Sequence, residues 1–168
     1  MEIEDESIER SDLLRLVTLA RNDRQVFFTE HPDWARYYAD RLLGTALCQG
    51  AALHYLRPSV GINDFDVYTF YAAHPERAWY AKRLRSVDFG DPKFGRSEVA
   101  NKSFIGRRVD LMARSLNVPI GADLGAAVRS WLLSMPTTTA RELATKAVIL
   151  LEPVESLGTI IWPTDKLA

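Results

Sequence analysis

The stretch Gly61-Ile62-Asn63-Asp64-Phe65-Asp66-Val67-Tyr68-Thr69-Phe70 decides how this chain reads. From Phe65 onward it alternates and is rich in aromatic and β-branched residues, which predicts a strand over 65–71. Side chains at i and i+2 of a strand share a face, so Asp64 and Asp66 project together while Phe65 and Val67 turn into the core. Two carboxylates held a few ångströms apart repel, and a cation relieves them. Mg²⁺ suits the role, because it prefers oxygen ligands and commonly takes one or two carboxylates plus phosphate oxygens. The plainer reading is a turn ending at Asn63-Asp64 followed by a solvated Asp66. Two other segments weigh against it.

Upstream, a short buried strand over 45–49 ends at Gln49-Gly50, and a brief helix is predicted over Ala51–Leu56, stopped by Pro58. A strand–glycine–helix junction exposes backbone N–H groups at the positive end of a helix, which suits phosphate; a glycine needed only for a tight turn is the alternative. Downstream, Arg107-Arg108-Val109-Asp110-Leu111-Met112 reads as another strand. A charge between apolar strand residues faces away from them, so Asp110 can share the surface of the first two acids. A third carboxylate there can ligate a metal and accept a proton. Its simpler alternative is an ion pair with Arg107 or Arg108.

The rest of the chain predicts an α/β arrangement. Helices are expected over 11–21, over 34–43 with Asp33 as N-cap, over 76–86 after His74-Pro75, over 123–134, and over 139–147 with a Thr139/Glu142 capping box. Short strands are expected over 148–151 and 159–162, a loop-rich stretch over 88–104, and a frayed start over the first ten residues. No repeat or linker divides the chain, so 1–168 is read as one domain with its core over 34–114 and an extension over 119–168. The helices of that extension, with Leu124, Val128, Trp131 and Leu132, complete the core or form a homodimer face.

The chain has 168 residues, 26% of them charged, and a net charge of −1, and no stretch combines enough basic charge with interleaved aromatics to nominate a long nucleic acid. Locally, Lys82, Arg83, Arg85, Lys93, Arg96, Lys102, Arg107 and Arg108 cluster over 82–108, which points to a local anion such as phosphate. Lys93 and Arg96, then Arg108, are the phosphate-binding candidates. His54, one turn after Gly50, reads as a packing residue before a site residue. The single cysteine, Cys48, lies in an apolar run and reads as buried packing. Neither a signal peptide nor a membrane-length apolar run is present, so a cytoplasmic location without membrane contact is expected.

Together, Gly50-Ala51, Asp64-Phe65-Asp66 and Asp110 resemble the pattern of the nucleotidyltransferase superfamily typified by DNA polymerase beta, over 34–114. The run Gln49-Gly50-Ala51-Ala52-Leu53-His54 with Asn63-Asp64-Phe65-Asp66 is similar to the signature of its minimal, toxin-type members. The resemblance implies a mixed β-sheet flanked by helices, Mg²⁺ or Mn²⁺ on Asp64, Asp66 and Asp110, and triphosphate on the backbone of Gly50 and Ala51. It implies transfer of a nucleoside monophosphate from a nucleoside triphosphate to a hydroxyl on a tRNA end, a protein or a small molecule. Ala51 departs from the usual Ser or Gly, so a hydroxyl contact to the triphosphate is missing. The competing expectation is a catalytically silent nucleotide-binding module, regulatory or antitoxin-like. A metal-dependent nuclease ranks last, because no lysine follows either acid at two residues' distance.

Overall fold

The computed structural model describes residues 6–58, 61–80, 84–96 and 103–164. Helices α1 (Arg10–Glu30), α2 (Pro32–Tyr38), α3 (Gln49–Leu56), α4 (Leu124–Ser134) and α5 (Thr138–Leu143) flank one sheet. Its strands are β1 (Leu42–Cys48), β2 (Phe65–Ala72), β3 (Arg85–Asp88), β4 (Arg108–Leu116), β5 (Val148–Glu152) and β6 (Ile160–Trp162), in the order β3-β4-β2-β1-β5-β6. β2 and β4 run parallel and every other neighbouring pair is antiparallel, which makes the expected mixed α+β sheet.

Alternation assigns the two faces. Leu47, Phe65, Val67, Val109, Leu111 and Ile149 form one core with Leu13, Leu16, Val17 and Ala20 of α1 and Ala51 and Ala52 of α3. Ala46, Cys48, Tyr68, Phe70, Val148 and Leu150 form another, under Leu124, Val128 and Leu132 of α4 and Ala140 and Leu143 of α5. The C-terminal extension therefore covers the second face of the sheet. Where β1 passes β5 the backbones come so close that a Cβ at Gly44 would lie 2.2 Å from the Glu152 carbonyl oxygen. Glycine is required there, at the bulge between Leu42 and Gly44.

Several elements depart from the pattern-based expectation. α1 runs to Glu30 rather than ending near 21, because Arg21 and Arg24 pair with Glu152, Asp23 pairs with Arg85, and Phe27 and Phe28 pack on a third apolar cluster. At its start, Ile8 is buried and the Glu6 carbonyl meets His54, so 6–10 are tied down rather than frayed. α2 ends at Tyr38 and β1 takes Leu42 and Leu43 from the expected helix. The N-cap of α2 is His31 with Pro32 in the first turn, not Asp33, and Thr137 rather than Thr139 caps α5, its hydroxyl accepting from Ala140 N–H at 3.1 Å.

The helix expected over 76–86 is absent from the described residues of that stretch. A turn closed by the His74–Arg77 bridge is followed by residues 78–80, which lie in no helix or strand, and Arg85 opens β3. Trp79 decides this. It is 1% exposed, its ring stacks on Tyr71 at 4.8 Å and on Phe27 at 5.4 Å, and its backbone N–H donates to Ser115 Oγ at 2.9 Å. Burying such a ring gives about 3 kcal/mol and each aromatic pair about 1 kcal/mol more, whereas helix propensity differences are only about 0.5 kcal/mol per residue. Packing overrides propensity.

Glu152 is 6% exposed and accepts from Arg24 and Arg21 at 3.0 Å each and from Thr45 Oγ at 3.3 Å. Burial alone would raise its pKa; the hydrogen bonds and charges of Arg24 and Arg21 outweigh burial and lower it. A carboxyl that ionises more readily when folded contributes stability above the ordinary glutamate range, lost as pH falls through that range toward the depressed folded value. Glu152→Gln is expected to cost on the order of 2 kcal/mol in urea unfolding at pH 7. The deficit should shrink below about pH 4, and an equal deficit at both pH values would contradict this account.

Candidate functional site

The parallel pairing of β2 with β4 sets Asp66 directly beside Asp110, and Ser86 on β3 and Cys48 on β1 continue the row. Neighbouring strands lie about 4.8 Å apart, so the two carboxylates leave the same face of the sheet as close neighbours. Asp64 precedes β2 by one residue on the same side. The elements carrying Gly50, Asp64, Asp66, Arg108 and Asp110 end or start at one end of the sheet. β1 runs opposite to β2 and β5, so Gly50 after β1 stands near Asp64 before β2, Arg108 at the start of β4 and Lys146 before β5.

Like charges this close need compensation, and Arg108 supplies part of it. Its Nη2 donates to Asp64 Oδ2 at 2.8 Å and its Nε lies 3.2 Å from Asp110 Oδ1. The second contact is an ion pair without hydrogen-bond alignment, for the buried Nε–H has no hydrogen-bonding partner. Ser86 Oγ completes the grip on Asp110, donating to Oδ1 at 2.6 Å. Asp110 is 3% exposed while Asp64 and Asp66 are half-buried, so the site grades from solvent into the sheet. Burial first, then the Asp66 charge, pushes the Cys48 thiol well above its ordinary range. Cys48 stays a neutral packing residue, its thiol donating to the Ala46 carbonyl at 3.8 Å.

Gly50 and Ala51 lie in the first turn of α3, as the strand–glycine–helix reading expects. No side chain caps this helix start, and Gln49 takes a φ of 62°, a left-handed value uncommon outside glycine. Ala51 is 1% exposed and packs into the first core, so its methyl group offers nothing to a ligand. Pattern reasoning missed Lys146. Its Nζ would lie 3.9 Å from a Cβ at Gly50, which puts an ammonium beside the uncapped helix start. Nothing local marks this lysine; only its position just before a strand paired with β1 does.

The other candidates scatter. Lys93 Nζ binds Asp12 at 2.8 Å and Glu9 at 3.7 Å on α1, which packs against the opposite face of the sheet. Burial lowers the Lys93 pKa, and the hydrogen bond and charge of Asp12 with the charge of Glu9 outweigh that and raise it. This lysine is a structural tether. Arg96 acts on Asp88, the residue opposite Arg108 in the β3–β4 pairing, and Arg107 donates to the Phe94 and Arg96 carbonyls. His54 is fully buried, with Nε2 2.7 Å from the Glu6 carbonyl oxygen, again toward α1. Lys82, Arg83 and Lys102 lie outside the described residues.

Among the described residues no three His, Cys, Asp or Glu side chains gather tightly enough to cage a metal unaided. The donor chemistry of Asp66 and Asp110 nevertheless suits a hard divalent cation that completes its shell with phosphate oxygens and water. Arg108 competes for Asp110 and Asp64. Replacing Arg108 by Met leaves a buried carboxylate without its guanidinium, and the expected cost is about 2 kcal/mol in urea unfolding. Added Asp110→Asn should recover at least half of it; strict additivity in that double-mutant cycle would mean the ion pair does not couple the two residues. Comparison of the chain with protein-family models, curated proteins and solved structures finds no match.

Proposed function

We propose that this protein is a metal-dependent nucleotidyltransferase that moves a nucleoside monophosphate from a nucleoside triphosphate onto a hydroxyl acceptor. The observation that carries the reading is the side-by-side register of Asp66 and Asp110 on parallel strands, at the edge where α3 starts. Asp66 and Asp110 would hold the cation, with Asp64 beside them, and Mg²⁺ or Mn²⁺ would supply positive charge to the triphosphate oxygens.

The chain's own groups divide the remaining work. The first turn of α3 at half-buried Gly50, where no side chain caps the helix, with the Lys146 ammonium beside it, suits the terminal phosphates. Arg108 already spans two acids and is the group that can exchange a carboxylate for a phosphate oxygen. Asp110, oriented by Ser86, accepts the proton of the acceptor hydroxyl. The hydroxyl oxygen then bonds to the α-phosphorus, the bond from α-phosphorus to the bridging oxygen breaks, and pyrophosphate leaves.

A second reading, a catalytically silent nucleotide-binding module, draws on two observations: the guanidinium lodged between Asp64 and Asp110, and the buried Ala51 side chain. One experiment separates the two. Incubation with each labelled nucleoside triphosphate, Mg²⁺ or Mn²⁺ and cell extract should transfer label, and Asp66→Asn and Asp110→Asn should each reduce transfer by at least about 100-fold while the fold melts normally. Equal labelling by wild type and variants would remove these residues from the chemistry. Calorimetric binding of triphosphate with no pyrophosphate release would establish the silent module instead.

A further inference from the structure

Arg114 stands four residues beyond Asp110 on the same face of β4, about 13 Å along the strand. It is 9% exposed, and among the described residues no carboxylate pairs with it. Nη1 donates to Thr139 Oγ at 3.3 Å, while the Nε–H, shielded from solvent, has no partner. The guanidinium lies between two rings, with Cζ 5.3 Å from the centre of Tyr80 and 5.2 Å from that of Trp131.

A buried arginine without a counter-ion is expensive. Arginine does not escape by losing its proton, and the effective desolvation penalty is several kcal/mol. A cation–π contact returns only about 1–2 kcal/mol, and the single hydrogen bond to Thr139 satisfies one of five N–H donors. Met or Leu would fill the same space between Tyr80 and Trp131 without that cost.

Arg114, Tyr80 and Trp131 all line a cavity of about 290 Å³ between the end of β4 and α4, close to the lower bound of small-molecule sites. Asn117, Ser130, Ser134 and Thr137 add polar groups to its wall, and no Asp or Glu lines it among the described residues. A pocket lined by a guanidinium with a shielded, unpartnered Nε–H, by aromatic rings and by hydroxyls, with no acid among the described residues, is built for an anion.

We propose that this cavity binds a small molecule through an oxyanion group, phosphate or carboxylate, seated on the Arg114 guanidinium. The inference is independent of nucleotidyl transfer, since it uses none of Asp64, Asp66 or Asp110. Inorganic phosphate, phenyl phosphate and benzoate, each titrated at constant pH and ionic strength, distinguish the free ion, a phosphate monoester and a carboxylate. The readouts are the Arg114 Nε–H and Trp131 indole resonances in nuclear magnetic resonance spectra. At least one probe should shift both in a saturable way. Arg114→Met should weaken binding of that probe at least ten-fold, while Arg108→Met, at the other site, should leave it intact. Should Arg114→Met not fold, Arg114→Lys keeps a charge but loses the planar fork, and the Trp131 signal should report the same ten-fold loss. No saturable shift with any probe, or unchanged affinity in the Arg114 variant, overturns the proposal.

Discussion

The parallel register between β2 and β4 is the constraint on which the rest of the molecule turns. Eight consecutive residues of β2 face β4, from Phe65 beside Val109 to Ala72 beside Leu116. That alignment sends Val67 and Leu111 to one face and Tyr68 and Met112 to the other, which fixes where α1 and α4 can pack. It also places Asp66 against Asp110, a pairing with no favourable energy of its own. Parallel strands cannot be joined by a tight turn, so the chain between them must cross over. It does so through the buried Trp79 and through β3, whose Ser86 and Asp88 return to support Asp110 and stand beside Arg108.

Partly buried charge is arranged in pairs rather than spread evenly. Arg108 binds two acids, Glu152 binds two arginines, and Lys93 binds two acids on α1. In each case the most buried member has at least one partner within 3.2 Å, the condition under which a partly desolvated ion is tolerated. Asp66 stands in the row of β1, β2 and β4 residues. Its neighbours in the row are a thiol and a second carboxylate, so its charge raises the pKa of Cys48 and adds to the field that a cation or a phosphate-bearing ligand would meet.

Much of this was legible in the residues, and the failures have physical causes. The alternation of 65–71 identified β2 and the facing of Asp66, and the flanking Val109 and Leu111 identified the facing of Asp110. Their side-by-side placement depends on strand direction, which periodicity does not encode. The glycine-punctuated loop makes Lys93 look like a phosphate ligand, yet Asp12, 81 residues away in sequence, claims it. The helix expected over 76–86 failed because Trp79 finds Tyr71 and Phe27, contacts that no local window contains. Arg114 escaped notice because the strand was expected to end at Met112, whereas pairing with β2 carries it on to Leu116.

The outermost strands have a consequence for how this molecule meets others of its kind. β3 has four residues, three of them polar or charged, and β6 has three and runs into Pro163, which offers no amide hydrogen. Short, charged or proline-terminated margins are poor templates for strand addition. Both margins therefore disfavour edge-to-edge extension, including the runaway kind that builds fibrils. A second copy of the chain would have to dock against the helical layers, where Leu133 and Met135 at the end of α4 are exposed at 64% and 42%.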